Sequence, residues 1–224
     1  MSRTRHPTTV VFDLDGLMFN TEDLYHEVGA ELLRRRGREA TRELMSAMMG
    51  RPGDDALQLL VEEHALDESV EDLARESDVI FAGLLDGRLA PMPGLFELLA
   101  ALETAGIPKA IATSSGRQIA LELLRRFDFV TRFEFLLTAQ DVPRGKPHPD
   151  IYQAAARKLA VDIGQMLVLE DSENGCRAAV TAGAYTVAVP TEHSIDHDFS
   201  GAQFIANGLR DERIFAALGL PPAS

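Results

Sequence analysis

A single cysteine, Cys176, stands in a chain of 224 residues. That excludes an internal disulfide and any cysteine cage for zinc, and it fits a reducing cytoplasm, the compartment expected for this protein. No apolar run is long enough to cross a bilayer, and the opening stretch MSRTRHPTTV lacks the apolar centre of a secretory signal. Lysine is scarce as well: of 22 basic residues only Lys109, Lys146 and Lys158 are lysines. With 35 acidic residues the formal charge is −13, so neither nucleic acid nor an anionic membrane is expected as a partner. A small anionic substrate is still admitted, because a metal ion and one well-placed lysine can reverse the local field.

Hydrophobic residues make up 46% of the chain and charged residues 25%, ordinary values for a globular protein. The length suits one large domain or a domain carrying an insertion. Short apolar, β-rich runs recur at 9–14, 109–113, 133–138, 166–169, 185–189 and 203–206. Segments with helical spacing alternate with them at 116–126, 150–159 and 173–182. Alternating strands and helices with short connections predict an α/β fold built on a doubly wound parallel sheet. The unbroken apolar run MLVL agrees with strands covered on both faces.

The rhythm breaks between Asp15 and Pro93, where only helical patterning is found. Leu24, Val28 and Leu32 fall at i, i+4 and i+8, and Leu44, Met45, Met48 and Met49 form a second stripe. Leu57, Leu60, Val61, Val70, Leu73 and Leu84 continue the pattern. These stripes read as helix core. The chain is therefore expected to divide into a core that carries the sheet, 1–16 and 90–224, and a small helical insertion, 17–89. The hinges are expected at 17–20 and 86–94, where glycine and proline punctuate the second segment.

Ligands of open parallel sheets bind at the carboxyl ends of the strands. The first run ends in Asp13-Leu14-Asp15-Gly16, the second in Thr113-Ser114-Ser115-Gly116, and the fourth in Glu170-Asp171-Ser172. The third is followed by DVPRGKPHPD, which holds Lys146. Each stretch alone has a plain reading as a turn, a helix cap or a solvated loop. Together they place carboxylates, a hydroxyl and a lysine at one edge of one sheet. Carboxylates of Asp13 and Asp171, with a backbone carbonyl and water, make a hard oxygen site suited to Mg²⁺. A phosphoryl group beside such an ion needs further charge and donors. Lys146 offers the charge, and the Thr113 hydroxyl and the Ser114 N–H, opening a helix, offer donors. One aspartate can attack phosphorus while its neighbour moves protons.

FDLDG, ATSSG, GKPHPDIY and LEDSENG resemble, in order and spacing, the four motifs of the haloacid dehalogenase superfamily. The inserted helices resemble its branch of β-phosphoglucomutases and small sugar-phosphate phosphatases. The resemblance implies a Rossmann-like core, Mg²⁺ as cofactor and a small phosphorylated metabolite as substrate. It implies Asp13 as nucleophile, forming an aspartyl-phosphate. Asp15 becomes general acid and then base, with its backbone carbonyl on the metal. Thr113 and Lys146 hold the phosphoryl group, and Asp171, with Glu170 in close support, holds the ion. The dehalogenases resemble this scaffold but lack the second aspartate, so dehalogenation is disfavoured.

Departures from the mutase pattern favour a phosphatase over β-phosphoglucomutase-type transfer. Tyr25 stands where the mutases have a histidine, and His26 is one place late. The mutases' phosphate-gripping arginine would fall near Gly53, with Arg51 close but out of register. The stretch 17–89 contains no lysine, whereas mutases and phosphonoacetaldehyde hydrolases both use a cap lysine. Arg51, Tyr25, His26 and Ser114 are the expected substrate contacts. His148, His193 and His197 read as loop residues rather than catalysts or metal ligands. A phosphorylated receiver module is the rival from another class. There, however, the phosphoaccepting aspartate ends a middle strand rather than the first, and no helical cap is inserted.

Overall fold

In a computed structural model of the protein, residues 6–49, 51 and 53–222 are described. Residues 1–5, at the start of the expected core, lie outside that range. The strands are β1 Thr9–Phe12, β2 Lys109–Ala112, β3 Leu136–Leu137, β4 Met166–Glu170, β5 Tyr185–Ala188 and β6 Phe204–Ile205. They form one sheet in the order β3-β2-β1-β4-β5-β6, and every pairing is parallel. The order turns around β1, which lies between β2 and β4. This is a doubly wound sheet, as expected, and the strand carrying the first acidic pair sits where such sheets bind ligands.

The pleat divides the core. Val10 and Phe12 of β1 join Ile111, Leu167, Leu169 and Val187 on one face. Val11 joins Ala110, Ala112, Met166 and Val168 on the other. The first face is covered by α5 Leu95–Thr104, α6 Arg117–Arg126 and α9 Glu212–Ala217, which contribute Leu98, Leu123 and Phe215. The second is covered by α7 Asp150–Leu159 and α8 Glu173–Ala182, through Tyr152, Ala155 and Ala178. Burial on both faces explains why the strands read as continuous apolar runs rather than as alternation.

Helices α5 and α9 fall outside the anticipated pattern. The third strand is also shorter than the expected 133–138: only Leu136–Leu137 pairs with β2. A 3₁₀ turn at Val130–Arg132 occupies the approach to it, and as an edge strand it gains a ladder on one side alone.

Four helices fill the break in the rhythm: α1 Thr21–Arg35, α2 Arg42–Met48, α3 Gly53–His64 and α4 Val70–Arg88. Leu24, Val28, Leu32, Leu44, Leu57, Leu60 and Leu73 are buried among them, as the stripes require. The chain leaves and re-enters the sheet along adjacent segments. Asn20 N donates to Ala90 O at 3.0 Å and Met92 N to Met18 O at 2.8 Å. The Asn20 side chain bonds Arg88 O at 3.1 Å and Ala90 N at 2.7 Å. Near the second crossing α4 loses helical geometry at Asp86 and Gly87, the latter at φ +80°. Among the described residues no helix is long and apolar enough to cross a membrane.

Candidate active site

The end of β1 delivers Asp13 into a buried cluster. Its carboxylate accepts from Lys146 Nζ, which also donates to Ala112 O at 2.9 Å and to Glu170 Oε1 at 2.6 Å. An ammonium has three donors, and all three are spent. Burial alone would discharge Lys146, but the Asp13 and Glu170 carboxylates beside it hold its pKa above the ordinary lysine value. Lys146 was expected to grip a phosphoryl group; the structure makes it first the counter-charge of Asp13. Glu170, fully buried, also accepts from the Tyr152 hydroxyl and from Ser172 Oγ. Both its oxygens are occupied, so Glu170 supports the cluster from behind.

Asp13, Glu170 and Asp171 offer carboxylate oxygens within 4.8 Å of one another, all buried. Burial raises the Asp13 carboxyl well above its ordinary pKa, with Lys146 opposing and Glu170 and Asp15 adding to the rise. Asp171 is raised likewise, by burial and then by Asp13. Two oxygens of the site, Asp171 Oδ2 and Asp15 Oδ1, are buried without a hydrogen-bond partner among the described residues. Unpaired anionic oxygens packed together away from water are costly. A hard divalent cation among them would remove both the repulsion and the missing partners, so the residues present fit Mg²⁺.

Two glycines make the cluster possible. Gly16 has φ +73°, and a Cβ there would overlap the Asp171 carboxylate. A Cβ on Gly175, in the first turn of α8, would overlap the Glu170 carboxylate. Gly175→Ala is therefore expected to lose about 1–3 kcal/mol of stability and to displace Glu170 from Lys146. Chemical denaturation checks this; a variant as stable as the parent would contradict the packing. Ser172 meanwhile caps α8, accepting from Gly175 N at 3.1 Å, so LEDSENG is at once a helix start and part of the site.

Asp15 is held from the β2 side. Its Oδ2 accepts from Thr113 Oγ1 at 2.9 Å and from Ser115 Oγ at 2.7 Å. The Thr113 hydroxyl, expected on the phosphoryl group, is here an anchor for Asp15. Helix α6 begins at Arg117 with Gly116 as its cap, so Ser114 precedes the first helical turn rather than opening it.

The sheet edge and the insertion enclose a cavity of about 510 Å³ lined by Asp13, Asp15, Ser114, Lys146, Asp171 and, from the insertion, Tyr25, His26 and Arg51. All the expected substrate contacts thus reach one cavity. Tyr25 stacks on Phe81 with ring centroids 4.5 Å apart. Burial, then Asp15, push its phenol well above the ordinary value. The His26 Nε2 is buried without a hydrogen-bond partner among the described residues; burial and then His193, whose ring centroid is 4.1 Å away, lower its pKa. Arg51 Nε donates to Ala47 O at 2.7 Å.

Sequence reasoning missed Glu22. It is buried, lines the cavity beside Asp13 and Asp15, and burial followed by Asp15 and Asp13 pushes its pKa up to about 8. It missed Tyr152 and Ser115 too. His148 is an exposed loop residue, as expected. His193 and His197 lie on a loop as expected, but this loop touches the insertion. His193 Nε2 meets Asp23 Oδ1 at 2.7 Å, His197 Nε2 meets Ser46 Oγ at 2.9 Å, and Arg42 pairs with Asp196 at 2.7 Å. Asp23, Glu192 and His193 also gather within 4.8 Å, at the surface, where the His193–Asp23 bond accounts for their proximity.

The chain is similar to known proteins. The chain is 34% identical over 178 residues to the phosphorylated carbohydrates phosphatase of Thermotoga maritima, covering 78% of this chain and 81% of that protein. It is 34% identical over 187 residues to the validoxylamine A 7'-phosphate phosphatase of Streptomyces hygroscopicus subsp. limoneus, covering 83% and 87%. The crystal structure of CbbY from Rhodobacter sphaeroides in complex with phosphate superposes with a TM-score of 0.82 at 27% identity, covering 95% of this chain and 99% of that one. The haloacid dehalogenase-like hydrolase pattern runs through residues 10–189. With that match along most of its length, on this sheet and with this carboxylate cluster, the chain belongs to the haloacid dehalogenase-like hydrolase family.

Proposed function

We propose that this phosphatase hydrolyses a small phosphomonoester, a sugar phosphate or similar metabolite, through an aspartyl-phosphate on Asp13. The observation that carries the reading is the buried Asp13 carboxylate, held by Lys146 at the end of the central strand and opening into a cavity shared with Asp15. An Asp13 oxygen attacks phosphorus and the ester oxygen departs, taking a proton from Asp15. Asp15, now a carboxylate, removes a proton from the water that attacks the aspartyl-phosphate, which frees phosphate and restores Asp13. Thr113 and Ser115 hold Asp15 in place for both transfers. Asp13, Asp171 and the Asp15 backbone carbonyl would hold Mg²⁺, with Glu170 in support, and the ion supplies charge neutralisation on the phosphoryl oxygens. Lys146 adds a fixed positive charge beside the nucleophile.

Residues 17–89 are the cap, which supplies Tyr25, His26 and Arg51 to the cavity, and residues 1–16 and 90–224 are the core. Arg51, Tyr25, His26 and Ser114 contact the substrate. The relatives named for phosphorylated carbohydrates and for validoxylamine A 7'-phosphate support a sugar phosphate or similar metabolite as substrate. Cytoplasmic residence is supported by the single buried Cys176. The test is phosphate release from a panel of phosphomonoesters with and without metal. Chelation is expected to abolish release and Mg²⁺ to restore it. Full activity in excess chelator would overturn the oxygen-ligand metal site.

A further inference from the structure

Beyond the catalytic end, the cavity is walled by the cap. Val28 and Leu32 of α1, Met45 and Met48 of α2 and Leu57 of α3 present hydrocarbon and thioether to it. Apart from Glu22 at the catalytic end, the charged residues that the insertion brings to the cavity are Arg51, Asp54 and Asp78. Asp54 and Asp78 are exposed, and neither belongs to a side-chain hydrogen bond or ion pair among the described residues. They face each other closely enough that Asp54 adds to the rise in the Asp78 pKa, after burial. Arg51 turns its Nε back onto Ala47 O, and the cap has no lysine. A substrate bound with its phosphoryl group at Asp13 therefore projects its alcohol between apolar walls toward a rim with two carboxylates and one guanidinium.

We propose, resting on the phosphatase reading above, that this cavity selects phosphomonoesters of uncharged alcohols and rejects those bearing a second phosphate or a carboxylate, with Asp54 and Asp78 as the rejecting residues. A second anion carried there gives up hydration to hydrocarbon walls and finds one guanidinium, Arg51, set against two carboxylates. It also meets two like charges at a partly solvated edge. Specificity of this kind comes from a built-in repulsion rather than from added contacts to the preferred substrate. An uncharged alcohol meets neither penalty, and the cavity's volume of about 510 Å³ is that of a small-molecule site.

Four esters on one carbon skeleton test this: butyl phosphate, 4-hydroxybutyl phosphate, 4-phosphooxybutanoate and butane-1,4-diyl bisphosphate. The first two are expected to exceed the last two in kcat/KM by about ten-fold or more, the effect of two like charges at intermediate dielectric. In the Asp54→Asn/Asp78→Asn protein the gap is expected to shrink to within about three-fold, through a gain on the anionic esters. Calorimetric binding of the same four esters to the Asp13→Asn protein should give the same order without relying on turnover. Anionic esters bound or hydrolysed as well as the neutral ones, or a gap that survives the double substitution, would overturn the selection. Release from none of the four, with the binding order intact, would contradict the proposed reaction while supporting the selection.

Discussion

The Asp13→Asn protein is expected to fold, to bind phosphate esters and to lose turnover by a factor on the order of 10⁶, the scale reached when a covalent nucleophile is removed. Folding should survive because Lys146 keeps two of its three partners, Glu170 and the Ala112 carbonyl, so no buried charge is stranded. Burial and its carboxylate neighbours already disfavour the ionised form of Asp13, so a neutral amide there also relieves repulsion. An amide oxygen cannot attack phosphorus and leave a hydrolysable acyl-phosphate. Thermal melting close to the parent, together with the loss of turnover and of covalent phosphate, is the expected pair of results. Turnover above about one per cent of the parent would remove Asp13 from the nucleophile's role.

Asp15→Asn is expected to fail in a different way. The Asp15 carboxylate accepts from Thr113 and Ser115 through a single oxygen, Oδ2, and an amide oxygen can accept the same two bonds. Geometry is kept and the proton function is lost. An ester with a good leaving group, such as p-nitrophenyl phosphate, needs little acid assistance when Asp13 attacks. Hydrolysis of the aspartyl-phosphate still needs a base to activate water, and losing a general base costs about 10² to 10⁴ in rate. Rapid mixing should therefore show one equivalent of nitrophenol released quickly, followed by a slow steady state. A uniform slowing of both phases would mean that Asp15 does not act on the second step.

Much of this site can be read in the sequence because its parts end apolar runs. Asp13 follows TVVF and Glu170-Asp171 follow MLVL, so strand ends and acidic residues are visible together. Residues that act across the sheet are harder to see. Glu22 stands in the first turn of α1, where an acidic residue is ordinary support for the helix dipole; only the fold shows it buried against Asp13 and Asp15. Tyr152 sits beside Ile151 on the apolar face of α7 and passes for core, yet its hydroxyl bonds Glu170. Thr113 directly follows β2 and Lys146 lies in the loop between β3 and α7, as expected, but their partners were not foreseeable. Position alone does not tell that a lysine spends every donor within the protein. The contacts of Arg42, Ser46 and Asp23 with the 191–198 loop join positions about 150 to 170 apart and leave no local signal. Helix α5 did have one: Leu95, Leu98, Leu99 and Leu102 repeat at helical spacing and all are buried.

The division of labour between the two aspartates is the centre of the mechanism, and the phosphoenzyme tests it most directly. The Asp15→Asn protein, mixed with p-nitrophenyl phosphate and Mg²⁺ and quenched in acid after the burst, should gain the mass of one phosphoryl group. Peptide mapping should place that group on Asp13. A phosphoryl group on any other residue, or no gain of mass despite a complete burst, would contradict the assignment of Asp13 as the nucleophile.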